Sequence, residues 1–211
     1  MENHGVLKNR WLQKRKNNLS REDLILWLSQ EYFVSIQFVN WFLIASTLTE
    51  SIEAKIILVR NIWEELGEGN SEEAHVSILI EFLKNIGVDI LKINILPETK
   101  IYLDQMKEII SRDFYSSLGA LGPANEYLLK LEYGQMYESY SELKKIESLP
   151  ASKFFQVNLS ADESHSEILF RLIDSISDTV EKKDWVRKGN LDALEAREIF
   201  YKGLINFESN L

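Results

Sequence analysis

One long helix constrains the fold of this chain more than any other feature. Ser20 and Asp23 are spaced as a capping box, and Leu19 and Leu24 are placed to form its hydrophobic staple. The segment that follows is apolar and rich in aromatic residues as far as about Leu48. It also carries several glutamine, asparagine and glutamate residues, which is typical of a buried core helix and not of a membrane span.

Capping residues, glycines and prolines divide the rest of the chain into seven further predicted helices. They cover about residues 52–66, 70–86, 97–112, 115–131, 135–146, 150–176 and 191–207. Asn70 is the predicted N-cap of the second of these, and residues 89–96 are predicted to be a loop or a short extended piece. Pro123 removes an internal hydrogen bond and should kink its helix one turn before Glu126. The linkers are short, so we expect residues 1–211 to form one all-α bundle domain.

Charge and composition narrow the class of function. The net charge is −9 and no basic stripe is present to neutralise phosphates, so nucleic acid is not expected as a partner. We expect the one basic cluster to be a solvated helix face; it consists of Lys8, Arg10, Lys14, Arg15 and Lys16. The chain has no cysteine, and its N-terminus lacks the apolar segment of a signal peptide. These features predict a cytoplasmic protein that does not associate with a membrane.

Two of the three histidines lie where carboxylates could help them hold a metal ion. His165 follows Asp162 by three residues, which places both on one face of a helix. His75 follows a glycine-rich turn that comes after Glu65, and Glu126 lies on the predicted kinked helix. Carboxylates and imidazoles from several helices of one bundle are the mixed oxygen and nitrogen donors that iron or manganese prefers. The sequence therefore predicts a metal centre inside the bundle.

Each of these residues also has a simpler interpretation. His75 alone is typical of a packed or half-exposed residue near the start of a helix. Asp162 with Glu163 could form an exposed charged pair, and Glu126 has the favourable four-residue spacing to Lys130. Ordinary packing and surface roles therefore stay open beside the metal centre.

Several segments around these residues resemble a known family, the heme-oxygenase-like iron-containing redox proteins. The segments that carry the likeness are NIWEELGEGNSEEAH, ALGPANEY and FFQVNLSADESH. The segment LSREDLILWLSQEYF also resembles the first core helix of that family. Within the family the resemblance is strongest to the CADD-like branch, typified by the Chlamydia protein associating with death domains. The likeness extends from about Leu19 to Ile176.

The resemblance implies a heme-oxygenase-like (TenA/CADD-like) bundle of seven to eight helices, often dimeric, with a non-heme di-iron site. The family's ligand positions fall on Glu65, His75, Glu126, Asn158, Asp162 and His165. Glu64 is the alternative at the first position, because the turn after it varies in length, and Glu68 and Glu72 are weaker alternatives. The family has histidine where this chain has Asn158, and an asparagine amide is a poorer ligand. The resemblance therefore implies one weakened or lost metal position, or an asparagine that orients Asp162.

The function that the resemblance implies is an iron-dependent oxidase or oxygenase that acts with dioxygen on a small organic substrate. The cofactor would be one or two iron ions, with manganese or no metal as alternatives. A metal-free relative that binds small molecules or a protein partner and a cofactor-free acid–base enzyme are the alternative functions. A reaction that consumes one of the protein's own tyrosines is not expected, because Trp11 and Met136 occupy the positions of the required tyrosine and lysine. The thiaminase-type reaction is not expected either, because it needs a cysteine.

Overall fold

The computed structural model describes the backbone of residues 4–151 and 153–209, and their side chains except those of residues 7 and 160–165. Within this part of the chain the protein folds into nine α-helices, short 3-10 turns and one π-helical segment, without any strand. The helices are α1 (Arg10–Arg15), α2 (Arg21–Thr47), α3 (Ile52–Glu65), α4 (His75–Asn85), α5 (Pro97–Arg112), α6 (Phe114–Leu121), α7 (Leu128–Leu143), α8 (Lys153–Ile176) and α9 (Val180–Ser209). The all-α prediction is confirmed, with more helices than the seven to eight expected.

Two helices begin where their start signals predict, and one does not. The Ser20 hydroxyl accepts a hydrogen bond from the Asp23 N–H at 3.1 Å, and the Asp23 carboxylate accepts one from the Ser20 N–H at 3.4 Å, so the capping box of α2 is complete. Pro97 is the first residue of α5, where its missing N–H costs no helical hydrogen bond. The predicted N-cap Asn70 instead closes a turn with its side chain, and α4 begins only at His75. No helix of the described chain combines the length and apolar character needed to cross a membrane.

Pro123 changes the type of helix and does not end it. The segment Gly122–Tyr127 is π-helical and joins α6 to α7 without a break. The Asn125 side-chain amide donates to the Ala120 carbonyl at 2.8 Å and so supplies a donor inside this widened turn. Pro123 therefore lies where the helix becomes π-helical, and the kink expected there stays a prediction. The predicted break before residue 135 was wrong, because Gly134 lies inside α7.

The helices α6 and α9 pack with their backbones in contact. A Cβ atom at Gly119 would clash with the Val186 carbonyl, and one at Gly189 would clash with the Ser116 carbonyl. Only glycine at both positions allows this approach. The contact involves the first half of α9, which begins at Val180 and not near residue 191 as predicted.

A buried ion cluster links three helices. Arg197 on α9 contacts Glu132 on α7 at 2.6 Å and Glu31 on α2 at 2.5 Å, and all three side chains are almost fully buried. Burial raises the pKa of the Glu31 carboxyl; the Arg197 charge opposes this shift and the Glu132 charge adds to it. The guanidinium also lies 5.2 Å from the centre of the Tyr201 ring. One buried arginine therefore contacts two buried acidic side chains from different helices.

The N-terminal basic cluster contains one buried member. Arg15 is buried, lies 2.6 Å from Asp23, forms an ion pair with Glu208 and stacks 4.4 Å from the centre of the Trp11 ring. The other four residues of the cluster are exposed. The prediction of a solvated helix face was therefore wrong for Arg15. Where α1 packs against α7 and α9, acidic residues of α2 and α9 form ion pairs with this arginine.

Candidate metal centre

A tight turn brings the end of α3 next to the start of α4. The 3-10 segment Gly67–Gly69 forms it, with φ angles of 69°, 53° and 91° in order. A Cβ atom at Gly67 would lie 2.5 Å from the Ala74 nitrogen, so the chain can close this far only with glycine there. The turn therefore places Glu65, the last residue of α3, beside His75, the first residue of α4.

The side chains of Glu65 and His75 converge. Oε2 of Glu65 lies 3.1 Å from Nδ1 of His75, and the two side chains are 11% and 13% exposed. This separation fits a shared proton. It also fits a shared metal ion, because two donors bound at right angles at roughly 2.1 Å each lie about 3.0 Å apart. Glu64, the alternative ligand, instead lies with Oε1 2.9 Å from Nε of Arg60.

Glu65 and His75 line a small cavity between α2, α4, α7 and α8. Its volume of about 40 Å³ has room for roughly three water molecules. Most of the wall is apolar; it includes Val34, Phe38, Val39, Leu129, Tyr133 and Phe154. Asn158 lines the same cavity, and its Nδ2 donates to the Phe154 carbonyl at 2.7 Å, which leaves Oδ1 as its potential donor atom for a metal. Three of the predicted ligand positions therefore share one cavity.

Glu126 is fully buried on the π-helical segment, which packs against α8. A Cβ atom at Gly122 of this segment would lie 3.3 Å from Leu169, and one at Gly134 of α7 would lie 3.9 Å from Leu159. The π-helical segment and α7 together therefore run antiparallel to α8. It does not line the cavity that contains Glu65 and His75.

Asp162 and His165 belong to α8, but their side chains lie outside the described residues. Positions 158, 162 and 165 are spaced by four and three residues, so they share one face of the helix. Among the described side chains, no group of three or more histidine, cysteine, aspartate or glutamate residues comes together closely enough to hold a metal ion. Asp162 and His165 therefore stay predicted ligands.

The donor chemistry of the described pair fits iron or manganese. One carboxylate oxygen and one imidazole nitrogen meet in a mostly apolar wall, and these donor types suit such divalent ions. An amide oxygen from Asn158 would be a weaker third donor. The pair alone gives two ligands, so tight binding would need further donors.

The rim of the cavity was not identified from the sequence. It consists of partly exposed lining residues, namely Ser35, Val39, Leu66 and Val76. Leu66 and Val76 directly follow Glu65 and His75 in the chain, so their adjacency to the predicted ligands was the available signal. Trp11 and Met136 stand at the positions where the family's tyrosine-consuming members are expected to have a tyrosine and a lysine, and both are fully buried.

Solved structures share this architecture at low sequence identity. A domain of unknown function with a heme oxygenase-like fold from Shewanella denitrificans OS217 has a TM-score of 0.77 and 15% identity, over 97% of this chain and 88% of that one. A CADD-like protein of unknown function from Nostoc punctiforme PCC 73102 has a TM-score of 0.76 and 15% identity, over 98% and 90%. A TenA homolog from Pseudomonas syringae pv. tomato DC3000 has a TM-score of 0.69 and 16% identity, over 95% and 86%. These likenesses establish the heme-oxygenase-like fold.

The family assignment comes from the sequence. No curated protein matches this chain at a significant level. The sequence profile of the family described as "Iron-containing redox enzyme" matches residues 25–198, which is most of the chain and includes every predicted ligand position. The protein therefore belongs to the iron-containing redox enzyme family.

Proposed function

We propose that this protein is a non-heme iron-dependent oxidase or oxygenase that uses dioxygen to oxidise a small organic substrate. The observation that carries the proposal is the convergence of Glu65 and His75 at 3.1 Å in the wall of a cavity. Membership of an iron-containing redox enzyme family supports it. The proposed ligands of one or two iron ions are Glu65, His75, Glu126, Asp162 and His165. Manganese is the alternative metal.

The residues around the pair define what can reach it. Iron held by Glu65, His75 and the other proposed ligands would supply the redox chemistry that passes electrons from the substrate to dioxygen. Phe38 and Phe154 are buried and line the same cavity as Glu65 and His75, so the wall beside the pair is apolar. A volume of about 40 Å³ accommodates dioxygen, but it is far below the roughly 300 Å³ at which sites for drug-sized ligands begin. A larger substrate would therefore place its reacting atom at the rim, near Leu66.

Asn158 would set how much metal the protein holds. Its amide oxygen would replace an imidazole nitrogen, so the position that it serves would bind iron more weakly than a histidine-containing one. We expect iron to occupy one metal position fully and the position next to Asn158 only in part. If Asn158 only orients a neighbouring ligand, the same number of irons would bind, and the affinity of that position for iron would be lowered less.

Oxygen uptake tests the proposal directly. Metal-free protein would be loaded with Fe(II) under anaerobic conditions, mixed with oxygenated buffer containing panels of small organic compounds, and followed with an oxygen electrode. We expect uptake above that of free Fe(II), oxidised product from at least one compound class, and loss of both in His75→Ala. His4→Ala is the matched control. His4 is near the N-terminus, lies beside Glu198 of α9 and does not line the cavity. Uptake equal to that of free Fe(II) would contradict the proposal.

The same pair favours a second candidate function, a cofactor-free acid–base enzyme. A carboxylate 3.1 Å from an imidazole can orient the ring and share a proton with it, as a general base requires. Such an enzyme would turn over substrate in the presence of a strong chelator. An iron-dependent enzyme would lose activity there and regain it on addition of Fe(II).

A further inference from the structure

A wide groove lies between the first half of α2, the connection from α4 to α5 and the end of α9. Its volume is about 530 Å³, which is far larger than that of the metal cavity and within the range of roughly 300–1,000 Å³ typical of sites for small organic ligands. The groove and the metal cavity have no lining residue in common. The groove is therefore a candidate binding site separate from Glu65 and His75.

Most of the groove wall is apolar. Six apolar side chains line it, namely Ile25 and Leu26 of α2, Val88, Ile93 and Leu96 of the connection, and Phe207 of α9. All six are partly exposed to solvent, and Phe207 is 41% exposed. An apolar molecule in the groove would remove these side chains from water, which favours binding.

The connection that forms one wall is held in place by α2. The buried side-chain amide of Gln30 donates a hydrogen bond to the Asn94 carbonyl at 3.1 Å and accepts one from the Leu96 N–H at 2.9 Å. At the other end of the connection, Nη2 of Arg21 donates to the Ile86 carbonyl at 3.0 Å. These bonds fix the wall before a ligand binds, so binding would order little additional backbone.

The charged side chains in the groove favour a cation. Two carboxylates, Glu22 and Asp89, line the groove together with one ammonium group, that of Lys92. Glu22 is exposed and forms no ion pair with the described residues. Asp89 lies 3.2 Å from Lys92, but the two side chains are 50% and 83% exposed, so this ion pair is weak and can open. The groove therefore offers an excess of negative charge.

The surroundings add to this preference. Phe207 lies in the last turn of α9, and the C-terminal end of a helix carries a partial negative charge. The net charge of the chain is −9, which attracts cations and repels anions at a distance. An anionic ligand would meet both effects as repulsion.

We propose that this groove binds a small organic cation with an apolar body, of the alkylammonium or arylammonium class. The apolar body packs against Leu26, Ile93 and Phe207, and the ammonium group lies near Glu22. This binding requires no metal and does not depend on the proposed oxidase function.

Isothermal titration calorimetry tests the chemical class of the ligand. Three probes with the same apolar chain would be titrated into the protein below their micelle-forming concentrations: octyltrimethylammonium, octanol and octyl sulfate. We expect the ammonium compound to bind at least about tenfold more tightly than the sulfate, with octanol in between. Failure of the ammonium compound to bind at millimolar concentration, or binding of the sulfate as tight as that of the ammonium compound, would overturn the proposal.

Matched variants test the roles of the charge and of the apolar wall. Glu22→Gln should weaken binding of the ammonium compound about two- to fivefold and leave octanol binding unchanged, whereas Glu53→Gln, at an exposed position in the first turn of α3, should change neither. Leu26→Lys places a cation in the wall and should weaken binding of the ammonium compound at least about tenfold. Its control is Leu43→Lys, because Leu43 is 47% exposed on α2 and does not line the groove. Circular dichroism would verify that each variant is folded, and a folded Leu26→Lys that binds like the unaltered protein would contradict the assignment.

Thiol protection tests the location. The chain has no cysteine, so an introduced cysteine is the only thiol. Saturating octyltrimethylammonium should slow the modification of Asn94→Cys, in the groove wall, at least about fivefold. It should not slow that of Lys107→Cys, at an exposed site on α5. Equal rates for Asn94→Cys with and without the probe would place the ligand elsewhere and overturn the proposal.

Discussion

Replacing Arg197 by methionine would leave two buried carboxylates without a cation. Methionine keeps much of the side-chain volume, so the main loss is the ion cluster. Arg197 makes contacts of 2.6 Å to Glu132 and 2.5 Å to Glu31, and none of the three side chains is more than 1% exposed. Removing one partner of a buried ion pair costs about 3–5 kcal/mol. For a chain of this size that cost corresponds to a fall in Tm of roughly 6–20 °C.

Thermal unfolding followed by circular dichroism would measure this loss, and its pH dependence gives a second check. Burial raises the pKa of the Glu31 carboxyl above its value in the unfolded chain. The contribution of the protonated group to stability is therefore fully present below the unfolded pKa and is lost as the pH rises through the folded pKa. Removing Arg197, whose charge lowers that pKa, raises it further. The stability lost in Arg197→Met should therefore be largest at neutral pH and should become smaller toward pH 5.

The matched control is Arg112→Met. Arg112 lies 2.7 Å from Asp192, but the two side chains are 34% and 25% exposed, so its loss should cost no more than about 1 kcal/mol. If Arg197→Met cost as little as this control, or if its deficit grew as pH fell, the ion cluster would not stabilise the bundle as described.

Further predictions concern packing and metal content. Gly189→Ala should destabilise the protein by at least about 2 kcal/mol, because its Cβ would clash with the Ser116 carbonyl; Gly134→Ala, whose Cβ would meet only Leu159 at 3.9 Å, should stabilise it by about 0.5–1 kcal/mol in urea unfolding. Equal effects would contradict the close approach of α6 and α9. Asn158→His should raise the iron content of protein purified with iron supplied, measured by elemental analysis, because it adds an imidazole at the cavity. Unchanged content would mean that this position does not face the metal.

Local signals predicted the helices that begin or end with distinctive chemistry. The capping box of α2 and Pro97 at the start of α5 each act within one turn, so their positions could be inferred from neighbouring residues. The start of α9 could not be inferred in this way. Residues 181–190 are charged and contain Gly189, which is typical of a linker. They are helical because Gly189 packs against the backbone of α6, a contact that depends on residues far away in the chain.

The candidate site also has one part that local sequence predicts and other parts that depend on contacts between distant helices. The turn that joins Glu65 to His75 is local, and its glycines indicated that the two residues meet. The apolar wall of the cavity and the Arg197 cluster depend on pairings between distant helices; Arg197 and Glu31 are 166 residues apart. A buried arginine has no periodic pattern that distinguishes it from an exposed one. Those features therefore needed the tertiary structure.

The iron content of the purified protein tests the central claim most directly. Protein produced with iron supplied would be analysed for metal, together with His75→Ala, Glu65→Gln and the control His4→Ala. We predict about one to two irons per chain in the unaltered protein and in the control. His75→Ala and Glu65→Gln should bind Fe(II) at least about tenfold more weakly. An unaltered protein without iron, or variants that retain it fully, would show that Glu65 and His75 meet for a reason other than binding metal.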